Sequence, residues 1–192
     1  DSQTYYPGVS YAEILLNSSE IEGENESANG APLEKINRYL ITELGRAKYD
    51  VVTIMGGGNN AHSKYPPYDL YDEMYEYAKL SGAIVIAITN PTKNNLRKKS
   101  KYPTNEDLAE HVRYSTVPDA IIDANKLFSD PSYFKSDMVH LNKRAHRELA
   151  EMWKKEVAKL LPESNIIGEN LKLSETKIRK IITDALKNER YL

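Results

Sequence analysis

The chain has 192 residues, 40% hydrophobic and 28% charged, with a formal net charge of −2. That composition suits one domain with a real core, and its charge leaves no broad basic field of the kind that holds nucleic acid. There is no cysteine, which excludes disulfide scaffolds and thiolate metal sites. No apolar run approaches the ~20 residues that span a bilayer, and no secretory signal peptide is visible, so nothing in the sequence names a compartment.

Taken in chain order, short β-rich runs alternate with helical stretches, the pattern of parallel βαβ units. Residues 10–16 read as a short helix. Residues 20–25 are poor strand formers, yet they stand where a second strand belongs before Gly30. Pro32 opens a helix at its first position, with Leu33, Ile36, Leu40 and Leu44 along one face. Residues 50–55 are the clearest strand and run into Gly56-Gly57-Gly58, where the backbone must turn tightly. Residues 68–80 form a helix closed by Gly82, and 83–89 a strand apolar enough to be buried on both faces. A polar, basic connection over 90–104 leads to a helix over 106–114 and a short strand over 120–123. The last helix of the domain spans 141–161, with Ala145, Leu149, Met152, Trp153, Val157 and Leu160 on its buried stripe. The expected fold class is α/β, a three-layer αβα, flavodoxin-like, doubly wound parallel sheet.

Pro162 ends this domain, assigned to residues 1–162. Residues 163–192 read as an amphipathic helical extension, capped by Ser174, with Ile178, Ile181, Ile182 and Ala185 at i, i+3, i+4 and i+7. The α/β domain does not need such an extension. Its apolar stripe, within residues 171–192, is expected to contact a second copy or another protein, to fold back on the domain, or, least of all, to lie on a membrane surface.

Three sets of residues carry chemistry. Asp137-Met138-Val139-His140 places a carboxylate and an imidazole on one turn, and Ser2 supplies a hydroxyl. A serine hydroxyl is a poor nucleophile unless an imidazole takes its proton and a carboxylate fixes the imidazole tautomer. Gly57-Gly58-Asn59-Asn60 follows a strand directly, so its amides stand at the carboxyl rim of the sheet, where doubly wound folds hold their ligands. Asp137 and His140 reach that rim by a loop from the last strand, and Ser2 would reach it from a strand ahead of it.

Asp1-Ser2-Gln3-Thr4, Gly30, Gly57-x-Asn59-Asn60 and Asp137-x-x-His140 stand in the order and approximate spacing of the SGNH (GDSL-like) hydrolases, which residues 1–161 resemble. The resemblance implies Ser2 as nucleophile, His140 as base and Asp137 as its orienting partner. It also implies an oxyanion hole made by the backbone N–H groups of Ser2 and Gly30 and by the side-chain amide of Asn59. The family's third block ends in Asp, where this chain has Asn60. Its first block begins with Gly after an apolar strand. No counterpart precedes Asp1, so that first strand is expected to be missing from this sequence. The implied function is a serine esterase cleaving short-acyl esters such as acetyl, on small molecules or carbohydrate. It works through an acyl-enzyme without cofactor or metal. The alternative is a non-catalytic module that keeps the fold and assembles through its C-terminal helix.

The other signals have simpler readings. Gly56-Gly57-Gly58 lacks the Lys-Ser/Thr of a phosphate-binding loop. Asn60 and His62 stand close enough to the glycine turn to touch substrate. His111 and His146 read as surface or internally satisfied histidines, and Asp137, His140 and His146 have no second cluster to complete a metal site. Tyr65, Tyr68, Tyr71 and Tyr75 read as a half-exposed helix surface. Lys93, Arg97, Lys98, Lys99 and Lys101 read as a solvated run able to hold an anionic polymer.

Overall fold

The computed structural model describes residues 10–19, 21–27, 30–61, 63–91, 102–161 and the backbone of 180–184. Its strands are β1 (Glu24–Asn25), β2 (Val51–Met55), β3 (Ile84–Ile88), β4 (Ala120–Ile122) and β5 (Lys180–Asp184). Its helices are α1 (Tyr11–Leu16), α2 (Leu33–Arg46), α3 (Tyr68–Leu80), α4 (Asn105–Tyr114), α5 (Ala124–Leu127) and α6 (Lys143–Leu160). The strands form one parallel sheet in the order β1-β5-β2-β3-β4.

The two apolar runs foreseen as buried strands, β2 and β3, pair in register from Val51 with Ile84 to Met55 with Ile88. They are continuously apolar because both sheet faces are covered, and the strand period of two divides their side chains between the faces. Val51, Met55, Ile86 and Ile88 pack with Tyr11 and Leu15 of α1 and Leu149, Trp153 and Val157 of α6. Val52, Ile54, Val85 and Ala87 pack with α2, α3 and α4 through Leu33, Ile36, Leu40, Met74, Leu108 and Val112. The result is the expected three-layer α/β architecture. Thr53, the polar residue in the middle of β2, is satisfied by Trp153 Nε1, which donates to its Oγ1 at 2.8 Å. A hydroxyl that would otherwise be costly to bury thereby pins α6 to the sheet.

Local chemistry sets the helix starts. Ser10 and Glu13 form a capping box on α1, and Thr104 and Asp107 form another on α4. Asn142 caps α6 by accepting from Ala145 N.

The C-terminal segment differs from the sequence expectation. Lys180–Asp184 is a strand, not part of a helix, and it pairs with β1 on one edge and β2 on the other. The sheet therefore draws on both sides of the boundary expected at Pro162, and the position between β1 and β2 is filled. Ile181-Ile182-Thr183 is a run of β-branched residues. A slot with ladder partners on both edges overrides a helical period carried by only four apolar positions. With both edges of β5 used inside the sheet, its backbone is not open to a partner. Residues 162–179 and 185–192 lie outside the described residues.

The tyrosines in and just before α3 are a second correction. Tyr65 is 74% exposed, but Tyr71 and Tyr75 are buried at 2% and 0%. Helix α3 turns one face onto the sheet, and 71, 74, 75 and 78 share that face at helical spacing.

His146 is the satisfied histidine that the sequence allowed. It is buried, and its Nδ1 accepts from Tyr11 N at 3.3 Å, joining α6 to the start of α1. Burial first, with the charge of nearby Lys135 second, pushes its pKa down from 6.5 to about 4. Between those values the unfolded chain binds a proton that the folded chain refuses, so stability falls as pH drops from 6.5 towards 4. The loss attributable to His146 is about 3 kcal/mol at pH 4. Urea unfolding at pH 7 and pH 4 measures it, and His146→Asn, which keeps an acceptor near the Nδ1 position, is expected to flatten that slope. An equal slope in the variant would place the acid sensitivity elsewhere.

Candidate functional site

Helix α5 and the 3₁₀ turn Pro131–Tyr133 carry the chain from β4 to a tight loop. Lys135 N donates to His140 O at 2.8 Å and Met138 N to Lys135 O at 3.0 Å, closing it. Within the loop, Asp137 Oδ1 accepts from Val139 N and His140 N, each at 2.9 Å. Asp137 Oδ2 lies 2.6 Å from His140 Nδ1. Met138, between Asp137 and His140, has a left-handed φ of 58°. A non-glycine residue held there stores strain that the surrounding bonds must sustain.

Burial works against the Asp137 carboxylate. The hydrogen bonds from the His140 ring and from the His140 and Val139 N–H groups outweigh it and hold its pKa below the usual carboxylate value. An ionised Asp137 accepts only, so it fixes the proton of His140 on Nδ1 and leaves the Nε2 lone pair as the basic site. Nε2 is buried and has no hydrogen-bond partner among the described residues. The Asp-x-x-His pair is thus assembled with the imidazole oriented by the carboxylate.

The second part of the site grows from the end of β2. Gly57 turns the chain at φ 92°, and Gly58–Asn60 follows as a 3₁₀ turn closed by Asn60 N to Gly57 O at 2.8 Å. Tyr71 Oη donates to Gly56 O at 3.0 Å from beneath. A Cβ on Gly57 would fall 1.7 Å from that hydroxyl, so this position needs glycine for both space and φ. We expect Gly57→Ala to cost about 2–5 kcal/mol by strain and overpacking. Tyr71→Phe, which removes the offending oxygen, should restore part of it. Thermal melts of the two variants and their combination check this, and an unchanged melt of Gly57→Ala would refute the turn.

Asn59 is exposed, and its Nδ2 donates to Ala31 O at 3.3 Å, beside Gly30 with its φ of 63°. The structure thus brings together two of the three groups expected to hold an oxyanion. Asn60, expected beside substrate, also makes bonds of its own to α2. Its Oδ1 accepts from Leu33 N at 2.8 Å, and its Nδ2 donates to Glu34 Oε2 at 3.2 Å. Helix α2 begins at Pro32, which offers no side-chain cap, and Asn60 caps it from across the fold. Asn60 is buried, and these bonds tie the turn to α2.

Ser2, His62 and the basic run 93–101 lie outside the described residues. Helix α1, which follows the Ser2 segment in the chain, is fixed against α6 by His146. Sequence reasoning missed Asn90, whose amide lies against Gly58 of the glycine turn, and Thr89 and Asn125, which are bonded to each other and, through Asn125, to Asn90 O. Their signal was present: Thr89-Asn90 follows an apolar parallel strand directly, as Gly57–Asn59 does. Among the described residues no cluster of His, Asp and Glu is placed to hold a metal, and no helix is long and apolar enough to cross a membrane.

No protein-family model and no curated protein matches the sequence. Among solved structures, the chain is similar to the psychrotrophic esterase EstA from Pseudoalteromonas sp., inhibited by monoethylphosphonate. The TM-score is 0.60 at 14% identity, covering 83% of this chain and 92% of that one. At that identity the likeness establishes the fold.

Proposed function

We propose that this protein is a serine esterase of the SGNH (GDSL-like) type. The observation that carries the reading is the Asp137–His140 pair at 2.6 Å, with Nε2 of His140 left as its basic atom. The esterase fold of the structural neighbour, and the Gly57–Asn59 turn at the carboxyl end of β2, support it.

In this mechanism Ser2 Oγ attacks the ester carbonyl carbon while His140 Nε2 takes its proton. The tetrahedral oxyanion receives hydrogen bonds from the N–H groups of Ser2 and Gly30 and from the Asn59 amide. Collapse of the intermediate breaks the bond to the alcohol, which leaves with the proton from His140. Water, deprotonated by His140, then attacks the acyl-Ser2 carbonyl. The acid departs and Ser2 regains its proton.

Short acyl groups, acetyl first, are the proposed substrates, on small alcohols or on carbohydrate. The connection over residues 90–104 is polar and cationic in sequence and carries no apolar stretch to make a lid for a long chain. A panel of chromogenic acetyl, butyryl and long-acyl esters with acetylated glycans tests both points. A burst of alcohol stoichiometric with protein is expected, largest in rate for acetyl. No burst with any ester would end the reading, and a preference for long chains would end its substrate part. The alternative of a non-catalytic module assembling through its C-terminal helix is weakened, because β5 is spent inside the sheet.

A further inference from the structure

Beyond the end of β3 the chain enters a cross-clamped corner. Thr89 N donates to Ile122 O at 3.1 Å, tying it to β4. Thr89 Oγ1 donates to Asp123 Oδ1 at 3.0 Å and accepts from Asn125 N at 2.8 Å. Asn125 Nδ2 donates to Asn90 O at 3.1 Å. Asp123 is itself gripped by Arg113 of α4, whose Nε donates to its Oδ2 at 2.6 Å. Thr89, Asn90 and Asn125 are all buried. The backbone of Asn90 is therefore fixed by β4, α4 and α5 together.

Its side chain reaches the glycine turn. A Cβ on Gly58 would fall 2.2 Å from Asn90 Nδ2, so the amide lies directly on the backbone of Gly58, with no room for any side chain between them. Gly58 immediately precedes Asn59. The turn has its own bonds to Tyr71 on one side and to α2 through Asn60 on another, and Asn90 closes it on a third.

We propose that Asn90 is a positioning residue for the Asn59 oxyanion donor, acting through Gly58, with Asn125 as its anchor; this rests on the esterase reading of the site. A donor aimed at charge that develops only in the transition state works only if it is held in place beforehand, and an error near 1 Å costs on the order of 10²-fold. Removing the Asn90 amide leaves the Gly58 backbone unsupported on that side. The turn then samples positions in which Asn59 misses the oxyanion, while ground-state binding is little affected.

The test is a double-mutant cycle on hydrolysis of a chromogenic acetate ester. Asn90→Ala is expected to lower kcat by about 10- to 100-fold with KM within about twofold of the parent. Asn59→Ala is expected to lower it by about 10²- to 10³-fold. Combining the two should cost less than about twofold beyond Asn59→Ala, because a misaimed donor that is already gone cannot be lost again. A purely structural Asn90 would lower activity by the same factor in both backgrounds, and that additivity overturns the proposal. Should Asn90→Ala fail to fold, Asn125→Ala passes through the same cycle, where non-additivity supports the proposal and additivity overturns it. A second readout needs no activity. The Asn60 N–H, bonded to Gly57 O, should exchange with solvent at least about tenfold faster in Asn90→Ala while the β2 and β3 amides keep their protection. Unchanged exchange at Asn60 overturns the clamp. If the parent protein hydrolyses no ester, the esterase reading fails by itself, and this exchange measurement still decides the clamp.

Discussion

Replacing His140 or Ser2 with alanine is expected to lower kcat for ester hydrolysis by about 10⁴ to 10⁶, or about 5–8 kcal/mol of barrier, with the fold retained. In the proposed mechanism His140 and Ser2 act as one unit, so the Ser2→Ala/His140→Ala double variant should be no slower than the worse single one. Asp137 needs a subtler probe. Its Oδ1 holds the Val139 and His140 N–H groups, so alanine there would also release the loop and the strained Met138. Asp137→Asn keeps an acceptor at Oδ1 and removes only the charge facing Nδ1. The imidazole can then adopt the tautomer with its proton on Nε2, where it no longer accepts from serine, at a cost of ~10⁴ in kcat. Steady-state kinetics with an acetyl ester, alongside circular dichroism, measure all four variants. Normal turnover by a folded His140→Ala protein would end the triad reading outright.

Loss of the fold is the expected result of removing residues 162–192, because the truncation takes β5 out from between β1 and β2. Both neighbours then lose ladder partners along the middle of a sheet covered on both faces. Unpaired backbone groups and an unfilled slot there exceed the ~5–15 kcal/mol by which a domain is stable. A point change makes the same test without truncation. Ile182 pairs with Asn25 on one side and Thr53 on the other. Proline at 182 cannot donate to the ladder and is not tolerated in an interior strand, costing about 3 kcal/mol or more. For a chain of this size that lowers the melting temperature by roughly 6–12 °C. Ile182→Val, still β-branched, should melt close to the parent. Equal melts of the proline variant and the parent would return the segment to the dispensable appendage that its helical period suggests.

The sequence by itself determined the layer architecture and most of the loop chemistry. Continuous apolar runs at 51–55 and 84–88 mean strands covered on both faces, whatever surrounds them. Stripes at helical spacing in α2 and α6 state which way those helices must turn, and Asp-x-x-His on one turn is short-range enough to assemble from local bonds alone. Gly57 was legible because a turn at φ 92° admits few other residues. Tertiary structure decided the rest, wherever a residue's role depends on a distant partner. Asn60 looked like a rim amide, and only the approach of α2, 27 residues earlier in the chain, made it a helix cap. Tyr71 and Tyr75 looked half-exposed until α3 lay down on the sheet. Lys180–Asp184 carried a weak helical period, and a vacant pair of ladder edges outweighed it. Propensity and period are local free energies of a few tenths of a kcal/mol per residue. A hydrogen-bonded slot inside a buried sheet is worth more than their sum, and it does not exist until the chain has folded around it.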